Sequence, residues 1–524
     1  MEKIKKNKTK LILILIIAIQ LLIYVGVGIQ KSYIHIDEGY SLGLLHYDKL
    51  DISENEDFYN NWHNDKYYND YLTIGKEEIN NFKPVYENQK NDVHPPLYYL
   101  LLKIAYNMHP EKYSKWPGLI LNMIFITIST ILIYKICKII FKDEKYALLM
   151  TIGAGLILST IESCMLMRMY ALNALNILAI TYIHLKIWNQ KEIKVKDLII
   201  IGILAILGSL THYYYLVFLF GLYVTFMIKY ISKKQYKNAI SYTLTYILSA
   251  IISLAIFPYS FVHIFMGYRG QGAFSNISQS QKIINGIGGY LNLINQDVFN
   301  GTLIIILAII LVSFIYKLAK NKKMTIEVKN EKILIALIPT ILYFTLIAVV
   351  SPYIEIRYIM PICPLIYILI MYFVKIFLEK TTKKEKNAKI LTIILTAIIL
   401  IFPIITNRNV TYVYNDLNDI ASKLENEYNL PTIYLFNKEQ NRFMDDIYLF
   451  SKIKESYILD SKDMSEEKIK EILKDKKINN GIIIFINGGQ ENDKELEKIA
   501  KATNLENIEY LKRMNACDIY YIHK

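Results

Sequence analysis

Up to about residue 406 the chain alternates long apolar runs with short polar stretches in which lysines cluster. The run from Leu11 to about Gln30 is long enough to cross a hydrocarbon core of ~30 Å at ~1.5 Å per helical residue. The basic stretch Met1 to Lys10 precedes it. Its apolar part exceeds the ~7–15 residues of a signal-peptide core and no small-x-small cleavage site follows, so the pattern predicts a retained helix with its N-terminus in the cytoplasm. Further spans are predicted near 117–136, 146–163, 168–188, 197–212, 213–230, 238–262, 300–318, 332–350, 357–376 and 389–406. This layout puts every lysine cluster on the cytoplasmic side: Lys135/Lys138/Lys142/Lys145, Lys186/Lys191/Lys194/Lys196, Lys229/Lys233/Lys234/Lys237, Lys317/Lys320/Lys322/Lys323 and Lys380/Lys383/Lys384/Lys386. It predicts about eleven crossings, with the C-terminus outside. The apolar stretch 95–108 is short for a span and reads as an interfacial helix opened by Pro95 and Pro96, whose missing N–H groups cost nothing in a first turn.

Two outer stretches stand apart. Residues 31–93, part of an outer loop 31–116, are rich in Asp, Glu, Asn and Tyr, and Tyr59, Trp62, Tyr67, Tyr68 and Tyr71 predict ordered, interface-seated pieces. Residues 263–298 carry Gly, Ser, Asn and Gln and predict a flexible outer loop able to act as a lid. After Asn407 the pattern changes again. Strand-like runs at Thr432–Phe436, 481–486 and 519–522 alternate with charged helical patterns at about 465–476 and 491–502, and Gly488-Gly489 signals a turn. The expected architecture is an all-α polytopic membrane domain, 1–406, followed by a small extracytoplasmic α/β domain, 407–524.

Composition agrees. Over 524 residues the hydrophobic share is 53% and the mean hydropathy is +0.25, too apolar for a soluble globule. The net charge of +13 resides in the loop clusters, as expected of cytoplasmic membrane loops rather than of a nucleic-acid-binding face. Four scattered cysteines (Cys137, Cys164, Cys363, Cys517) have no metal or redox spacing, and the C-terminal domain contains no phosphate loop, zinc pattern or nucleophile elbow.

The candidate chemistry lies on the outer face. Asp37 and Glu38 are adjacent, so on a helix they point about 100° apart and only one can work in a small site. The plain alternative is that both are solvated interface residues. His94 precedes two prolines, which push it out of the α region and hold its imidazole in place; it either caps the next helix or contacts a phosphate. Arg168 and Arg357 each open a span at its outer end, either as snorkelling anchors or as guanidinium forks for an anion. His212 shares the ambiguity of His94, and Tyr213 and Tyr358 lie on the same face, where an aromatic belt is the simpler reading of Tyr213 to Tyr215. Asp37, Glu38, His94 and His212 together offer donors for a divalent metal, without a spacing such as H-E-x-x-H to support it.

Taken together, Asp37-Glu38, the later His94-Pro95-Pro96-Leu97-Tyr98-Tyr99, the Arg168-Met169-Tyr170-Ala171-Leu172 opening, Thr211-His212-Tyr213-Tyr214, and Arg357-Tyr358 followed by Pro361 and Pro364 resemble the membrane glycosyltransferases of the GT-C fold. The nearest branch is the protein O-mannosyltransferase and lipid A aminoarabinose transferase group, glycosyltransferase family 39 in the broad sense. The resemblance covers roughly residues 1–406. It implies inverting transfer of a sugar from a polyprenyl-phosphate donor to a glycan, lipid or protein acceptor on the outer membrane face. It implies Asp37, then Glu38, as catalytic base, and His94, Arg168, His212, Tyr213, Arg357 and Tyr358 around the donor. The aminoarabinose transferases carry an Arg three positions after the catalytic Asp, where this chain has Tyr40. A polyprenyl phosphate is already a good leaving group, so one carboxylate and a set of cations suffice. The competing reading is a lipid-linked sugar transporter or flippase, which calls for mid-membrane ionisable groups or paired interrupted helices.

Overall fold

The computed structural model describes residues 2–277, 279–319, 330–382, 385–414, 424, 427–436, 442–487, 492–515 and 517–524. The expected turn at Gly488-Gly489 and the loop lysines Lys320, Lys322, Lys323, Lys383 and Lys384 lie outside the described residues. The chain divides into two compact units, one of residues 1–28, 93–98 and 119–410, the other of residues 29–92, 99–118 and 411–524.

The first unit is helical. Among the described residues seven helices are long and apolar enough to cross a membrane, or up to nine if each of two bent pairs is one span, which makes the chain a multi-pass membrane protein. About eleven crossings were expected. The spans expected at 146–163 and 300–318 fall in the bent pairs, of which Glu144–Leu156 and Leu158–Met165 meet at 52°, and those expected at 168–188 and 197–212 correspond to the helices Tyr170–Ile187 and Val195–Ser209, which are not among the seven to nine. At ten residues, Leu97–Tyr106 is too short to cross, as expected. Gln20, inside the bundle, is satisfied at both ends of its amide: Nε2 donates to Thr151 O (3.1 Å) and Oε1 accepts from Thr130 Oγ1 (3.0 Å). Small residues set the closest approaches. A Cβ on Gly221 would stand 2.6 Å from Pro339 Cα, and one on Gly286 would run into Ala348 O.

The Gly286 contact corrects the expected flexible lid. Residues 263–298 are mostly helical, within Tyr259–Phe265, Tyr268–Ile277 and Ser280–Leu293 and a π-turn at Ile294–Val298. Gly286 gives close helix packing rather than flexibility, and Tyr290 is buried, its hydroxyl donating to Ser351 Oγ (2.8 Å) and Tyr353 O (3.0 Å).

The second unit is built on a six-stranded sheet: β1 (Trp62–His63), β2 (Thr432–Phe436), β3 (Ser456–Asp460), β4 (Ile482–Asn487), β5 (Asn507–Met514) and β6 (Cys517–His523), in the order β1-β3-β2-β4-β6-β5. β2 runs parallel to β3 and β4, while β6 is antiparallel to β4 and β5. The central strands are buried along their whole length, as a sheet covered on both faces requires. β1, from the early segment 29–92, adds antiparallel to β3. The aromatic residues around β1 therefore serve the unit's interior rather than an interface: Tyr68 and Tyr71 are fully buried, Tyr68 OH bonds Ser456 Oγ at 2.7 Å, and Trp62 Nε1 donates to Ile472 O at 3.3 Å. The predicted helices appear as Glu466–Leu473 and Asn492–Thr503.

Candidate active site

In the second unit, Ile36–Gly43 forms a short helix whose N-cap is His35. His35 Nδ1 accepts from Asp37 N–H (3.1 Å), and Glu38 Oε2 accepts from His35 N–H (2.7 Å), a reciprocal cap that fixes the first turn. The same Glu38 oxygen lies 2.9 Å from Lys31 Nζ, with both side chains completely buried. Lys31 Nζ also donates to Tyr412 O (2.6 Å), and Ser32 N–H to Val413 O (3.0 Å), so the segment is stitched to residues 412–413. Burial pushes the Lys31 ammonium down from its ordinary range, against the opposing pull of Glu38. Asp37 points elsewhere: its side chain is 26% exposed, with one oxygen 3.7 Å from His35 Nδ1. Tyr40 OH donates to Asp51 Oδ2 (3.1 Å).

In the first unit, the helix ending at Met165 gives way to an irregular turn before Tyr170. Asn122 Nδ2 satisfies the freed carbonyls of Cys164 (3.2 Å) and Leu166 (2.8 Å), which allows backbone to leave the helix inside the protein. Arg168 sits in that turn, 5% exposed, with Nη2 3.4 Å from His94 Nδ1. The Pro95-Pro96 segment is held by Leu97 N–H to Leu210 O (3.0 Å). His94 and His212 rings stand 5.9 Å apart, and His212 lies beside Tyr170 (5.9 Å) and Tyr214 (4.8 Å). Tyr214 N–H donates to His212 Nδ1 (3.0 Å), which leaves Nε2 as the protonated nitrogen of the neutral ring. Tyr214 in turn meets Tyr358, at 6.0 Å between centroids. Arg357, buried, pairs with Glu355 (2.7 Å) and lies over the Tyr358 ring at 5.3 Å.

The expected residues thus fall into two groups. His94, Arg168 and His212 come together, and Tyr214 links His212 to Tyr358 and Arg357. Tyr213 turns aside: its hydroxyl bonds His263 Nδ1 at 2.8 Å. Asp37 and Glu38 belong to the other unit and take different surroundings, one partly exposed and one sealed. Sequence reasoning missed Lys31 and the buried acids Asp445 and Asp446; for the last two, a pair of carboxylates within the apolar run Phe443–Phe450 was the available signal. Among the described residues no three His, Cys, Asp or Glu side chains stand together as metal ligands. Also in the first unit, a cavity of about 630 Å³ is lined mainly by apolar and aromatic side chains, among them Leu216, Phe220, Tyr223, Tyr246, Phe261 and Phe265.

Residues 93–260 match the family model of dolichyl-phosphate-mannose-protein mannosyltransferase. The resemblance read from the sequence is borne out by this match. The mannosyltransferase-like stretch contains His94, Arg168, His212 and Tyr213 and ends before Arg357 and Tyr358. Similar solved structures include ArnT from Cupriavidus metallidurans bound to undecaprenyl phosphate, at 10% identity and a TM-score of 0.48 with 97% of each chain covered. The apo state of the same protein gives 12% identity, a TM-score of 0.49 and the same coverage. The Archaeoglobus fulgidus oligosaccharyltransferase, in complex with Zn and sulfate, gives 10% identity and a TM-score of 0.46, over 97% of this chain and 73% of that one. No curated protein matches the chain.

Proposed function

We propose that the protein is an inverting glycosyltransferase that moves a hexosyl or pentosyl group from a polyprenyl-phosphate carrier to an acceptor hydroxyl or amine on the outer face of the membrane. The N-terminus is then cytoplasmic, and residues 407–524 form an extracytoplasmic domain. The observation that carries this reading is the division of labour at Asp37-Glu38. Glu38 is spent on a buried lysine and a helix cap, and Asp37, on the same turn, keeps a partly exposed carboxylate. Asp37 takes the acceptor's proton as its oxygen or nitrogen attacks the anomeric carbon. The bond from that carbon to the phosphate oxygen breaks, and the electron pair leaves with the polyprenyl phosphate. Arg168, with His94 and His212 beside it, and Arg357 hold the charge that develops there. Tyr358 packs the donor site, and the 630 Å³ apolar cavity suits part of an isoprenoid chain. The mannosyltransferase family match over 93–260 supports the substrate class.

The test is transfer from defined polyprenyl-phosphate sugars by purified protein with and without Asp37; wild-type turnover by folded Asp37→Asn overturns the base assignment. The transporter reading draws on the two bent helix pairs, at 52° and 98°. Release of free polyprenyl phosphate separates the two, because transport leaves the sugar–phosphate bond intact.

A further inference from the structure

Asp37 is held by the residue two places before it. His35, in extended backbone (φ −71°, ψ 150°), is the N-cap of Ile36–Gly43, and its Nδ1 accepts the Asp37 N–H at 3.1 Å. A ring nitrogen that accepts has no proton of its own, so the neutral imidazole carries its hydrogen on Nε2. The same Nδ1 stands 3.7 Å from Asp37 Oδ2, within reach of both a donor and an acceptor of one residue. Asn, Asp, Ser and Thr are the preferred caps, and none of them changes charge near neutral pH. A histidine in their place makes the cap depend on protonation.

Adding a proton to Nδ1 reverses both contacts. Its N–H would then face the Asp37 N–H donor to donor, and the side-chain half of the cap is lost. The Asp37 carboxylate becomes the acceptor within reach, and a shift of about 1 Å closes the gap to a charge-assisted hydrogen bond of ~2.8 Å. We propose that His35 is a positioning residue for Asp37 that works only as the neutral imidazole. Neutral, it fixes the Asp37 backbone and leaves the carboxylate to the acceptor; protonated, it releases the backbone and occupies the carboxylate. This rests on the reading of Asp37 as the base. The backbone half of the cap, His35 N–H to Glu38 Oε2 (2.7 Å), does not involve the ring and is common to both states. On the same segment Glu38 is paired with Lys31 (2.9 Å), Lys115 donates to Lys31 O, and Tyr40 is bonded to Asp51 (3.1 Å). From residues 411–413 the Tyr412 ring meets the imidazole edge-on, at 5.7 Å between centroids. Gly39 of the same helix faces Met444 and Ile447, and that segment brings Asp445, held by Arg442 at 2.6 Å, and Asp446, bonded by Asn515 at 3.0 Å. Of these groups, His35 reaches Asp37 at both its backbone and its carboxylate.

The experiment is ¹⁵N NMR of full-length, histidine-labelled protein in nanodiscs across pH, with the His35 signals assigned by difference from His35→Asn, beside sugar transfer over the same range. The neutral ring is expected to carry its proton on Nε2 and to convert to the imidazolium at the pH where kcat falls on the acidic side, with the donor KM unchanged. His35→Asn keeps an oxygen acceptor that does not titrate. Its acidic limb should move down by more than about one pH unit, since an ordinary carboxylate titrates ~2.6 units below an ordinary imidazole. His35→Ala has no acceptor, so its kcat should fall by about tenfold or more at the optimum, and His35→Asn should recover most of that loss. A neutral ring protonated on Nδ1, an unmoved acidic limb in His35→Asn, or wild-type kcat in His35→Ala overturns the proposal. If His35→Ala melts below the assay temperature, the tautomer and the His35→Asn limb decide it. The tautomer is read without substrate, so its failure counts against the positioning alone, whereas wild-type transfer by Asp37→Asn counts against the base.

Discussion

Glu38→Gln isolates the buried pair beneath the proposed base. The substitution keeps size and most hydrogen bonding but leaves Lys31 charged, fully buried and without its carboxylate partner. Breaking such a pair costs about 3–5 kcal/mol. The ceiling is set by the alternative of releasing the lysine proton, which from a free value of ~10.4 costs about 4 kcal/mol at pH 7.5. That alternative also gives the sign of the pH dependence. With the folded Lys31 value depressed, the unfolded chain binds more protons, so the variant gains stability as pH rises towards ~10.4 and its deficit shrinks. Pairing Glu38→Gln with Lys31→Met removes the orphaned charge. The double variant then loses mainly the Lys31 bond to Tyr412 O, about 1–3 kcal/mol if that carbonyl stays buried and unpaired, and it should melt above Glu38→Gln alone. Thermal unfolding in nanodiscs at pH 7.5 and 9.5, run beside sugar transfer, measures both effects. A Glu38→Gln variant as stable as wild type at pH 7.5 refutes the account of the pair. A double variant that melts near wild type yet turns over no better than Asp37→Asn shows that Glu38 acts in the chemistry.

Asp37→Asn is expected to cut turnover by about 10²–10⁴ with donor binding retained, whereas Arg357→Ala should weaken donor binding too, measured by direct titration of the polyprenyl-phosphate sugar. Asp446, fully buried, is pushed up to about 7 by burial, so its contribution to stability is full below ~4 and is lost as pH rises to about 7, by at most about 4 kcal/mol. Asp446→Asn should flatten the unfolding midpoint across that window, and an unchanged slope counts against the assignment. Gly221→Ala forces a methyl group to within 2.6 Å of the Pro339 backbone and should destabilise by about 1–3 kcal/mol, seen as a lower melting midpoint.

The apolar runs were enough to read most of the helices, because twenty or so consecutive apolar residues have one stable solution in a bilayer, whatever their neighbours. The runs at 11–30 and 117–136 fall within observed helices, and those at 213–230 and 332–350 overrun theirs only by the N-cap residue. The strand Thr432–Phe436 was legible for a similar reason, as a short β-branched and aromatic run bounded by Pro431 and polar residues. Asp37, His94, Arg168, His212 and Arg357 were legible as candidates because ionisable groups next to apolar spans are costly without a purpose. Their partners were not. Nothing local ties Lys31 to Glu38 across a helix cap and to Tyr412, 381 residues away, and nothing in Trp62–His63 announces a strand edge for Ser456–Tyr457. Glycine content suggested a flexible loop at 263–298, but Gly286 lets its helix touch Ala348 of the helix Ile333–Val350, and Gly289 makes room for the Ile354 side chain. Composition and periodicity determine which segments bury apolar surface. Which of two adjacent carboxylates is sealed and which stays partly exposed depends on contacts between segments hundreds of residues apart, and only the folded chain decides those.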